Sequence, residues 1–131
     1  MAEHHADQLT ETFEAAASLV NQLYHFVALS DGVRQVNMAS LKTWTGNVGI
    51  LVNAPAAAGR HATVQYGGRG KVTAGAAVAS VGVFLSTNGS GRAVASGSGD
   101  MVMGTALETA AADGDLISIQ ACKPWRLSGA V

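Results

Sequence analysis

The sequence predicts a mainly β, single-domain fold: a small β-barrel or β-sandwich, β-tulip-like, with an extended N-terminal arm. Three observations lead there. Short β-prone runs recur about every ten residues, Gly, Asn, Asp and Ser punctuate them, and no long amphipathic helical pattern follows residue 20. A chain of 131 residues suits one hydrophobic core. Residues 1–18 read as the arm, and residues 19–131 as the β domain with a short C-terminal tail.

The arm begins with a polar stretch carrying His4 and His5 beside Glu3 and Asp7. Adjacent histidines at a terminus make a poor preorganised metal site. From Leu9 to Ser18 two readings stay open. Ala and Glu favour a helix, whereas Leu9, Glu11, Phe13 and Ala15 alternate with Thr10, Thr12 and Glu14 as a strand does. This segment is expected to be loosely held until it meets a partner surface.

Leu23 to Leu29 is rich in β-formers and closes on the turn signal Ser30-Asp31-Gly32, after which Val33, Gln35 and Val36 resume, as in a hairpin. His25, inside that run, reads as a packed or rim histidine. Further strands are predicted at Val48–Asn53, Ala62–Tyr66, Gly70–Thr73, Gly82–Ser86, Arg92–Ala95, Met101–Leu107 and Leu116–Ala121. Ala54 to Ala58 contains Pro55 and reads as a loop. The Gly/Ser-rich stretch from Asn88 to Asp100 reads as two loops around a short strand. After Ala121 the tail should leave the last strand, because Pro124 cannot continue a central one.

Ala and Val dominate the apolar half of the composition, and the aromatics are only Phe13, Phe26, Phe84, Tyr24, Tyr66, Trp44 and Trp125. A core built this way is thin, so association should matter for stability. The lone Cys122 excludes an internal disulfide and any multi-cysteine zinc site, and reads as a half-buried apolar residue. A net charge of −1 argues against a nucleic-acid binder. No run is long enough to span a bilayer and no signal peptide is evident, so folding in a cytoplasm is expected.

Charge is unevenly spread. Glu3, Asp7, Glu11, Glu14 and Asp31 come without a Lys or Arg among them, and Arg34, Lys42, Arg60, Arg69, Lys71 and Arg92 follow with no acid before Asp100. Such separation suits an acidic arm lying on a basic surface, its own or a neighbour's.

The run Gly67-Gly68-Arg69-Gly70-Lys71 imitates a phosphate-binding loop. It lacks the hydroxyl after Gly-Lys, where Val72 stands, and the first glycine, where Gln65 stands. A turn with glycines at positive φ explains it better. Asp113 and Asp115 read as a turn, and Asn88-Gly89-Ser90 is a sequon without use in a cytosol. No nucleophile–base–acid set or carboxylate pair is discernible, so neither an enzyme nor a cofactor or metal site is expected.

The ordered segment VGILVNAPAAAGRHATVQYGGRGKVTAGAAVASVGVFLSTNGSGRAVAS, closed by MVMGTALETAAADGDLISIQ, resembles the capsid cement (head decoration) proteins of tailed bacteriophages. The likeness covers about residues 23 to 121. It departs at the acidic N-terminus and after Ala121. The family is similar in role to the head-stabilising protein of phage lambda. The resemblance implies a structural protein on the virion surface that binds the major capsid protein as a homotrimer, without nucleic acid or membrane as partner. Candidate protein-contact residues are Leu9, Glu11, Phe13, Glu14, Trp44, Arg60, Arg69 and Trp125. A tail or baseplate β module, or a host-surface or glycan binder, is the competing class; sparse aromatics argue against the last.

Overall fold

Beyond the first residues, the punctuated runs become strands. The computed structural model describes residues 9–128, and among these there is no helix. The strands are β1 (Leu9–Ala15), β2 (Phe26–Leu29), β3 (Gln35–Met38), β4 (Asn47–Leu51), β5 (His61–Thr73), β6 (Phe84–Thr87), β7 (Ala93–Ala95), β8 (Met101–Ala106) and β9 (Leu116–Arg126). They hydrogen-bond in the order β1-β3-β2-β4-β5-β9-β8-β6-β7, and β1 also pairs with β5. That extra pairing closes β1, β3, β2, β4 and β5 into a five-stranded barrel. A second sheet grows outward from β5.

Period-two side-chain alternation explains how two small cores share one wall. Val27 and Leu51 point into the barrel with Ala15, Leu19, Val36, Ala62 and Val64. Their neighbours Phe26, Ala28 and Ile50 point the other way and join Val72, Leu85, Met103, Ile117 and Ile119 beneath the second sheet. Strands β2 and β4 are therefore apolar on both faces. Phe26 is the one aromatic that is fully buried, so the thin aromatic core expected from composition is the one observed.

The Gly67–Lys71 run is not a turn between two strands. Ala62–Tyr66 and Gly70–Thr73 belong to one 13-residue strand, β5, whose residues 61–67 pair with β1 and 68–73 with β9. Only Gly68 of this run takes a positive φ, 81°. The strand bends there, and buried Gln65 bridges the bend, donating from Nε2 to the carbonyls of Gly67 at 2.9 Å and Arg69 at 2.8 Å. Side chains are excluded around the bridge. A Cβ on Gly70 would meet the Gln65 side-chain amide, and one on Gly49 would meet the Gln65 carbonyl oxygen.

Two other expectations change. The tail does not leave the sheet at Ala121, because β9 runs on to Arg126 against β8. Pro124 is tolerated since β5 stops pairing at Ala121 and the β8–β9 register passes from Ala121 to Trp125, so neither ladder calls on its missing N–H. The open reading of Leu9–Ser18 resolves as a strand. β1 pairs antiparallel with β5, and Ala15 and Leu19 are buried in the barrel, so the segment from Leu9 is built into the fold. Residues 1–8 lie outside the described residues.

The Asn88–Arg92 loop is the tight turn that its residues suggest. Asn88 Oδ1 accepts from the Ser90 and Arg92 amides at 2.8 and 3.0 Å, and Gly91 at φ 75° accepts the Phe26 N–H at 2.6 Å. This docks the β6–β7 turn on β2. The wall and the bend make a direct prediction about glycines. Gly49→Val, which drives a side chain into the β5 backbone, should lower stability by at least about 1–3 kcal/mol. Gly89→Ala, where a Cβ meets nothing within 4 Å, should be neutral in the same urea titrations.

Candidate functional site

Antiparallel pairing of β1 with β5 sets Leu9 opposite Gly67 and Glu14 opposite His61, which gathers most of the predicted contact residues on one ribbon. Leu9 is half exposed and packs over Gly67. Arg69 lies two residues further along β5, and Arg60 precedes its start, its carbonyl accepting the Ala15 N–H at 2.8 Å. Phe13 is partly buried against the barrel core.

Arg34, at the tip of the β2–β3 hairpin, organises this ribbon, and sequence reasoning placed it only among general basic residues. Its guanidinium pairs with Glu11 at 3.0 Å, lies 5.2 Å from the centre of the Phe13 ring and donates to the Thr12 carbonyl at 2.6 Å. One pairing of the acidic segment with a basic residue, Glu11 with Arg34, is thus made within the chain. Exposed pairs of this kind are worth about 0–1 kcal/mol. A groove of about 620 Å³ runs beside it, lined by Thr12, Phe13, Glu14, Val33, Arg34, Gln35 and His61. Val33 is 89% exposed on its rim. The apolar residue directly after Ser30-Asp31-Gly32 was the available signal for it.

Trp44 and Trp125 lie elsewhere. Trp44 is half exposed on the β3–β4 loop, pinned over Gly46, and lines a second depression with Leu29, Met38 and Leu41. Leu29 and Leu41 are also exposed. Apart from Trp44 this apolar group was not foreseen, since its members are brought together only by the β2–β3 and β3–β4 connections. Trp125 packs edge-to-face on Phe84 with ring centres 5.2 Å apart, on the outer side of the second sheet. The predicted contact residues therefore fall into three patches, most of them on the β1–β5 ribbon.

Among the described residues no three His, Cys, Asp or Glu side chains group as metal ligands. Asp115 accepts from the Ala111 and Ala112 amides at 2.8 and 3.1 Å, which is the work of a turn residue. Cys122 is half-buried, and burial raises its thiol pKa. Hydrogen bonds from Ser118, its side chain first and its N–H at 3.0 Å second, lower the pKa of Glu108.

The chain is thus a five-stranded barrel extended by a second sheet, with apolar residues exposed in patches. The sequence profile of a family described as phage cement protein matches residues 6–121. The chain belongs to the phage cement protein family. The match takes in β1, so the strand is part of the family's domain, while the end of β9 falls outside it. Membership gives the chain a capsid-accessory role. Among solved structures, its fold is similar to that of the head fiber gp8.5 N base of bacteriophage phi29, with a TM-score of 0.59, 21% identity, and coverage of 90% of this chain and 98% of that one. No curated protein matches the chain.

In this cement-family fold a buried histidine lies directly before the shared wall. His25 is 7% exposed, its Nε2 accepts from Arg92 Nε at 3.4 Å, and Arg92 in turn pairs with Asp113 at 2.6 Å. Burial first, and the Arg92 charge second, lower the His25 pKa from 6.5. Because the unfolded chain then binds the proton more readily, stability is full above pH 6.5 and declines as pH falls from there through the folded value. Urea midpoints should drop between about pH 7.5 and 5, a range that brackets the ordinary histidine value. His25→Gln should flatten that part of the profile; an unchanged slope would assign it to other groups.

Proposed function

We propose that the chain is a capsid decoration (cement) protein. It binds the outside of an expanded phage head as a homotrimer at threefold and quasi-threefold sites and stabilises contacts between neighbouring major capsid subunits. The family match over residues 6–121 carries this reading. The role is one of binding and not of catalysis.

Physical argument supports it. A specific interface buries roughly 1,600 Å² in total, and a small module supplies that area from several patches at once. The β1–β5 ribbon, the Leu29–Leu41–Trp44 group and the Phe84–Trp125 pair offer apolar and aromatic anchors of the kind that dominate protein interfaces. Repetition on a symmetric lattice raises the avidity of such modest contacts. The thin core also favours a chain that gains stability by assembling.

The test is co-sedimentation of purified protein with undecorated heads, before and after expansion, with copy number taken from band intensity. The reading predicts saturation near the copy number of the major capsid protein, on expanded heads only, and greater resistance of the heads to heat. Trp44→Ala combined with Leu41→Ala should weaken attachment at least tenfold if that patch faces the shell. Attachment to tails at a few copies, with none on heads, would overturn the assignment in favour of a tail or baseplate module.

A further inference from the structure

β1 is held to the molecule differently from the other barrel strands. It gives the core only Ala15, with Phe13 packed at the margin, and its residues Leu9 to Thr12 and Glu14 are exposed. Its ladder to β3 spans only Glu14 and Ala15. What fixes the rest is the antiparallel ladder to β5 and the single residue Arg34, whose four contacts with the Glu11 carboxylate, the Thr12 carbonyl, the Phe13 ring and the Glu14 amide all fall on β1. Arg34 makes them from a left-handed backbone, φ 54°, which is costly for a residue with a side chain and holds it over the strand. It acts as a latch.

The chain after β1 has the form of a hinge. Ala17 and Ser18 are exposed, and Leu19 beyond them is buried, with its N–H donating to the Pro55 carbonyl at 2.8 Å. A swing about residues 16–18, which gives up the bonds from the Ala16 N–H to the Val36 carbonyl and from the Gly59 N–H to the Ala15 carbonyl, frees β1 and bares the edge of β5 from His61 to Gly67. The sequence that fits this vacated place is β1 itself: it brings the ladder partner, an acid for Arg34, a ring beneath the guanidinium and a small residue for the barrel core. The same strand from a second copy restores every contact, which makes exchange cheap.

We propose that β1 is an exchangeable strand, and that in the assembled trimer each copy lays its Leu9–Ala15 segment into the barrel of the next, under that neighbour's Arg34. The exchange runs head to tail and closes at three copies. It rests on the trimer of the proposed function and supplies the linkage that a thin core does not.

Directly opposed Thr12 and Thr63 provide the test. The variant Thr12→Cys, Thr63→Cys, Cys122→Ser is oxidised in dilute solution, in concentrated solution and on heads, with assembly measured separately by light scattering and chain linkage by non-reducing gel. Exchange predicts links within one chain when dilute and covalent trimers once trimers form. Trimers that contain only within-chain links overturn the exchange and leave the trimer standing; a chain that stays monomeric in solution and on heads overturns both. Covalent trimers from concentrated protein that fails to bind heads uphold the exchange and remove the cement reading. Arg34→Gly, which keeps the left-handed backbone, checks the latch: hydrogen exchange at the β1 amides should accelerate at least tenfold, with Val27 and Leu51 unchanged. No acceleration, or acceleration throughout the chain, counts against it.

Discussion

The bend in β5 at Gly68 is the constraint on which the rest of the structure depends. One strand must close the barrel with β1 and β4 and then found the second sheet with β9, so its direction has to change without ending the ladder. A polar side chain accomplishes this from inside. Gln65 donates to two carbonyls across the bend, the Gly67 bond being fully buried, where an unsatisfied acceptor costs about 1–3 kcal/mol. Room for that amide exists because Gly70 has no side chain, and Gly49 lets β4 approach the Gln65 backbone.

From the bend follows the shared wall. Because β5 serves both sheets, β2 and β4 are covered on two faces, and Phe26 and Val27, adjacent in sequence, belong to different cores. Neither core is large. Together they leave the outer surface for contact, which suits a member of a capsid-accessory family. The same economy leaves β1 with little interior to hold it, so its attachment falls to a ladder and to one arginine.

Most of the strand pattern was legible because turn chemistry is local. The Asn88 turn, the Ser30-Asp31-Gly32 hairpin and the Asp113–Asp115 turn each announce themselves in a few residues. What escaped depends on distant partners. Gly67 to Lys71 looks like a turn unless one knows that Gln65 reaches over it, and Pro124 looks like a strand end unless one knows that β5 has already stopped pairing. Leu9 to Ala15 alternates as a strand but carries so few buried side chains that periodicity alone could not decide. The grouping of the candidate contact residues was legible in part: the acidic and apolar residues of β1 share one strand, whereas Arg34 joins them only through the hairpin that brings it to Phe13. The family likeness came from ordered glycines, several of which prove to be places where backbones meet closely.

The account stands on the chain being a component of the capsid exterior that joins neighbouring subunits. Imaging of complete particles at a resolution that traces strands tests this most directly. The account predicts density for the barrel and second sheet on the outside of the head, in threefold clusters that each straddle a boundary between major capsid subunits. Heads bare of that density, or the same fold found only on the tail, would contradict it.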